Sequence, residues 1–177
     1  MIHATQASRA SRGVAAAFAL AAALHAGDAA ADRYQRTHHV APTGYCDAPL
    51  PVYDQSLRKS PRRITNEGPD EIHVSCSVPV DSVADRDGND LWAHFSSART
   101  DAIRVHCTAV AGSGVTSDYS YVAGSAMISA GARGWVYWQD LDKGPRDDAI
   151  VSFNCRLPPG MSMTEITLVQ YDEAERL

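Results

Sequence analysis

Along most of the chain, apolar and polar residues alternate with a period of two. In the stretch IHVSCSVPV, Ile72, Val74, Cys76, Val78 and Val80 fall on one side of an extended backbone, and His73, Ser75, Ser77 and Pro79 fall on the other. The pattern recurs at Ile103, Val105, Cys107 and Ala109 and again at Val151, Phe153, Cys155 and Leu157. That periodicity marks strands with one buried face, whereas helical periodicity is hard to find anywhere in the chain. Further β-like runs are LWAHFSSA, DYSYVAGSAMISA, GWVYWQDL and TEITLVQYDE, separated by turn-forming stretches such as NEGPD, GARG and PPG. The count is seven strands, or eight with residues 52–57 or 62–65. A sheet with one apolar face must cover it, so the expected fold is all-β, an antiparallel β-sandwich, with a small barrel as the alternative.

Three of the four cysteines sit on the apolar side of these strands, which explains why Cys76 shares a face with valines: it is a cross-link in or beside the core. The fourth, Cys46, precedes them. The spacings of 30, 31 and 48 positions are unlike those of zinc or redox motifs, so two disulfides are expected. Four cysteines allow three pairings. Cys46–Cys76 with Cys107–Cys155 is favoured, because the first would fasten the N-terminal segment to the first full strand and the second would join two strands whose cysteines both face inward.

The N-terminal residues fit the same oxidising destination. Arg9 and Arg12 precede an apolar run too short to span a bilayer, and small residues follow it. Residues 1–31 therefore read as a signal peptide, cut before Asp32 or earlier, after Ala26. Residues 32–51 are polar and proline-containing and read as a flexible lead-in, and 52–177 as the sandwich domain. Removing two arginines and one aspartate with the leader moves the net charge from −5 to −6. Such a domain lacks the basic footprint of a nucleic-acid or anionic-membrane binder. No transmembrane segment is expected in the mature chain, and the localisation read from the sequence is secreted or periplasmic.

The spaced pattern Ile64-x-Asn66, Val74-x-Cys76-x-Val78-Pro79 and Cys155-x-Leu157-Pro158, preceded by Cys46, resembles a group of small exported bacterial β-sandwich proteins. The resemblance covers about residues 46–173. It implies an exported β-domain and carries no activity with it.

Several polar constellations are candidates for chemistry. Asp85, Asp87 and Asp90 around Gly88 resemble a calcium loop, but Val83 and His94 occupy the first and twelfth ligand positions, so an acidic turn is the better reading. His38 and His39 are adjacent in sequence. His73 and His106 could meet if their strands were neighbours, with His94 or a carboxylate as a third ligand, yet two histidines do not make a metal site, and solvent-facing histidines are the better reading. No nucleophile elbow or phosphate loop is present, and no cofactor is expected. Aromatic residues offer the best specific feature: Trp135 and Tyr137 share one face of their strand, and Tyr119 and Tyr121 share a face of theirs. If those faces adjoin on the solvent side they form a platform for sugar rings or a protein partner. The expected function is therefore non-enzymatic, binding or structural, with an envelope protein or a glycan as partner. A carbohydrate-binding module and a small hydrolase whose site is dispersed in sequence are the alternatives.

Overall fold

A computed structural model describes residues 33–80, 89–113, 118–141 and 149–173. Eleven strands are formed among them: β1 (Arg33–Val40), β2 (Cys46–Asp47), β3 (Leu57–Ser60), β4 (Arg63–Asn66), β5 (Ile72–Val78), β6 (Asn89–Ser97), β7 (Ile103–Ser113), β8 (Asp118–Ile128), β9 (Arg133–Leu141), β10 (Ala149–Leu157) and β11 (Met161–Glu173). They build two antiparallel sheets. The first has the order β3-β4-β11-β6-β9, with β1 also paired to β11; the second has the order β2-β5-β10-β7-β8. The expected leader, residues 1–31, and most of the acidic turn lie outside the described residues.

Period-two alternation becomes burial directly. In β5, Ile72, Val74, Cys76 and Val78 are buried while Ser75 and Ser77 are exposed. The core is filled from both sheets, with Leu91, Phe95, Met163, Ile166 and Leu168 from the first meeting Val74, Val105, Phe153 and Leu157 from the second. Each of these large side chains removes about 1.5–3 kcal/mol worth of apolar surface from water. The two sheets come together at one edge through the β8–β9 connection, whose strands belong to different sheets. There the inward Trp138 donates its indole N–H to the Val122 carbonyl at 2.9 Å. A side chain at Gly124 would meet Val136 and Trp138 at 2.6 and 2.9 Å, which is why glycine stands there.

Both disulfides are cross-strand staples within the second sheet. Cys46 faces Cys76 across β2–β5, and Cys107 faces Cys155 across β7–β10. All four cysteines are buried, which the alternation of three strands implied for Cys76, Cys107 and Cys155 but not for Cys46.

The lead-in departs from expectation. Residues 33–40 form β1, which runs antiparallel to β11 over eight register pairs from Arg33↔Glu173 to Val40↔Ile166. The composition suggested flexibility because β1 contributes little apolar surface. It is held by backbone hydrogen bonds to an edge that β11, at 13 residues, extends beyond its short partner β4. Sheet edges accept a polar strand because its backbone groups, not its side chains, carry the pairing. The remaining increase over seven strands comes from β2, β3 and β4, each of two to four residues; the optional eighth strand at 62–65 corresponds to β4, whereas residues 52–57 are mostly a 3-10 helix and turn ahead of β3.

The NEGPD turn also carries structure. Asn66 is fully buried; its amide donates to the carbonyls of Asp70 at 2.7 Å and Leu157 at 2.8 Å, and its side-chain oxygen accepts from the Gly68 N–H at 2.9 Å. One side chain thus closes its own turn and ties it to the end of β10.

Candidate aromatic site on the first sheet

Because β6 and β9 send alternate residues inward, the intervening ones emerge on the outer face of the first sheet. Leu91, Ala93 and Phe95 enter the core, and Asp90, Trp92, His94 and Ser96 face away from it. In β9, Val136 and Trp138 are buried, whereas Trp135 and Tyr137 are 59% and 40% exposed. Register then lines these outward residues up across strands. His39, Thr167, Trp92 and Tyr137 form one row over β1, β11, β6 and β9, and Glu165, His94 and Trp135 form the next.

Trp92 and Tyr137 stack with ring centroids 4.6 Å apart and planes at 23°. At that separation the faces overlap, so each ring gives one face to the other. Trp135 is held more loosely, tilted at 50° to His94 with centroids 6.5 Å apart. Its indole is the largest ring surface that this face offers to solvent.

A β-bulge shapes the edge of the site. Between Asn89↔Leu141 and Leu91↔Trp138 the β9 strand carries one extra residue, and Asp140 takes a left-handed conformation with φ 50°. The Asp90 carboxylate, nearly buried, accepts hydrogen bonds from the Asp140 N–H at 2.9 Å, the Tyr137 hydroxyl at 3.1 Å and the Tyr171 hydroxyl at 2.9 Å. Desolvation, reinforced by this carboxylate, pushes the Tyr137 hydroxyl up to about 12. Tyr137 is therefore a neutral, oriented ring whose position depends on Asp90.

At the other end lies a polar network. The Glu165 carboxylate contacts His39 Nδ1 at 2.6 Å and accepts from the Thr167 hydroxyl at 3.3 Å, and that hydroxyl also lies 3.2 Å from His94 Nε2. Burial pushes the His94 imidazole below the usual histidine value, only partly countered by Glu165. Burial works to raise the Glu165 carboxyl, but the His39 hydrogen bond and the neighbouring imidazoles outweigh it and hold the carboxyl low. The arrangement can stack a flat apolar face on Trp135 and offer hydrogen-bonding groups on either side. Both acids, Asp90 and Glu165, are already engaged.

The residues singled out in sequence divide between two faces. Trp135 and Tyr137 are together on the first sheet. Tyr119 and Tyr121 lie on β8, facing outward from the second sheet, with the core between the two pairs. Trp138 is inward, its ring centroid 5.7 Å from that of Phe153. Sequence reasoning passed over Trp92, although its signal was present in LWAHFSSA, where it alternates against Leu91, Ala93 and Phe95. The histidines also separate. His39 faces outward on β1, and His38, one residue earlier, points to the opposite side. His73 and His106 are not on neighbouring strands, since Arg156 of β10 pairs with both and stands between them. His94 belongs to the other sheet. Among the described residues no group of three His, Cys, Asp or Glu side chains is arranged to hold a metal.

No family model and no curated relative matches the chain. Among solved structures, a xylan-binding module, CBM15, aligns over 80% of this chain and 100% of its own length with a TM-score of 0.51 and 10% identity. The C-terminal family 22 carbohydrate-binding module of Clostridium thermocellum Xyn10B aligns over 86% and 91% with a TM-score of 0.40 and 8% identity. What the chain shares with the CBM15 module is the fold of an antiparallel β-sandwich.

Proposed function

We propose that this protein is an exported glycan-binding module that takes a polysaccharide chain on the outer face of its first sheet. The observation that carries the reading is the exposed indole of Trp135 beside the Trp92–Tyr137 stack, on an open sheet face with hydrogen-bonding groups at both ends. A sugar ring needs this pairing of surfaces: its C–H face is apolar and stacks on an aromatic ring, while its hydroxyls need donors and acceptors around the rim. An unsatisfied hydroxyl would cost most of what stacking gains. The sandwich fold shared with a xylan-binding module supports the reading, and so do two disulfides, which persist in oxidising compartments. The resemblance to exported bacterial β-sandwich proteins points to the same setting.

The test is retention on insoluble xylan, cellulose and mannan. Wild-type chain is expected to be retarded by at least one of them. Trp135→Ala should abolish the retardation while leaving the melting temperature nearly unchanged, because the ring is mostly exposed and its described packing contact is the tilted His94. Passage of the wild type through every polysaccharide without delay would end the proposal.

A further inference from the structure

The outer face of the second sheet holds a feature that the aromatic site does not use. A depression of about 370 Å³ is lined by His73, His106, Thr108, Ala123, Asn154 and Arg156, among others. Its origin is in the register. Arg156 of β10 pairs with His73 of β5 on one side and with His106 of β7 on the other, and His106 pairs with Ser125 of β8. The next outward row is Ser75, Asn154, Thr108 and Ala123. The small residues of β8 leave the hollow; the larger polar ones wall it.

The hollow carries one guanidinium, that of Arg156, on a chain whose net charge is −5. Arg156 stands between two imidazoles, with Arg104 one outward position from His106. Neighbouring strands are about 4.8 Å apart, so the histidines flank the guanidinium across about 10 Å. The acid that reaches Arg156 is Glu71 at 3.9 Å, a rim contact between two exposed side chains that is worth little in water. Below this row are hydroxyl and amide groups: Asn154 donates to the Ser75 hydroxyl at 2.8 Å and lies 3.0 Å from His73 Nδ1. One further outward position along β8 from Ala123 is Tyr121, 69% exposed.

We infer that this depression is a second binding site, specific for an acidic sugar whose carboxylate or sulfate oxyanion sits on Arg156 between His73 and His106. A planar guanidinium matches an oxyanion through two parallel hydrogen bonds, and charge-assisted bonds of that kind are the strong ones. The Asn154 and Thr108 row meets the ring hydroxyls, and Tyr121 offers an aromatic edge beside them. This site and the aromatic face lie on opposite sides of the sandwich, so each reading stands or falls without the other.

The experiment titrates the intact protein calorimetrically with oligogalacturonate, which carries carboxylates, with sulfated dextran, and with uncharged dextran. Binding of an acidic oligomer but not of uncharged dextran is expected, and which acidic arm responds identifies the oxyanion. An acidic protein attracts no polyanion through its net charge, so such binding reports a local site. Arg156→Gln should weaken it about tenfold or more, with Trp135→Ala leaving it unchanged. Should Arg156→Gln unfold the protein, His106→Gln, at an exposed position, must show the loss instead. Absence of binding by both acidic ligands, equal binding of uncharged dextran, or full affinity in a folded Arg156→Gln or His106→Gln variant would overturn the inference.

Discussion

Asp90 decides the geometry of the aromatic edge at the level of single residues. It accepts from two tyrosine hydroxyls and from the N–H of Asp140, whose left-handed backbone makes the bulge. Replacing Asp90 by Ala removes the acceptor for all three. Part-buried hydrogen bonds to a charged group are worth about 1.5–3 kcal/mol each at most, so Asp90→Ala is expected to lower the melting temperature by several degrees and to weaken glycan retention by releasing Tyr137. Calorimetry with the retention assay checks both. On the acid side of the stability profile, His94 and Glu165 act in turn. The folded His94 holds its proton less firmly than the unfolded chain, whose value is 6.5, so unfolding takes up a proton as the pH drops past that point and stability falls. Glu165 is held below 4.5, so its contribution is present above that value and is lost as the pH falls through its lower folded value. Stability should thus decline in two stages on acidification. His94→Gln should remove the first, as read from melting temperatures of both proteins across this range; an unchanged upper stage would refute the assignment.

Among the elements, the two staples differ in what they hold. Cys107–Cys155 joins β7 to β10 in the interior of the second sheet, while Cys46–Cys76 anchors β2, a two-residue strand at its edge. In the chain-entropy model, closing either loop is worth about 4 kcal/mol, a large part of the roughly 5–15 kcal/mol that a domain has. Replacing Cys107 and Cys155 by Ala should lower the melting point by on the order of ten degrees, and reduce the yield of folded protein. The Cys46/Cys76 double variant should lose less, with protease cleavage appearing first near β2. Equal thermal losses would show that the edge strand is as integral as the centre. Strand β1 shows the complementary case: its pairing with β11 depends on an edge left open further along the chain, so its own composition did not announce it.

For the molecule as a whole, two outer sheet faces back onto one core. The first presents indole and phenol rings, the second the hollow around Arg156, and sandwich thickness keeps them apart. In sequence, residues 85–90 read as an acidic turn with an incomplete calcium ligand set. Asp85 and Asp87 lie outside the described residues, and Asp90 already has three donors on its two oxygens. Millimolar calcium is accordingly expected to leave the melting temperature nearly unchanged, since a bound ion would raise it through mass action. A rise of several degrees in a calorimetric scan would overturn that expectation.

Alternation was sufficient to identify the strands β5 to β11, the sandwich class and the inward cysteines, because a strand buried on one face writes its burial into every second residue. It also put Trp135 and Tyr137 on one side of β9 and opposed them to Trp138. Strand order was decided only by tertiary structure, since pairing between distant segments depends on backbone edges that all residues share. That order set Trp92 and His94 against Tyr137 and Trp135, sent Tyr119 and Tyr121 to the other face, inserted Arg156 between His73 and His106, and drew the polar N-terminal segment into the first sheet.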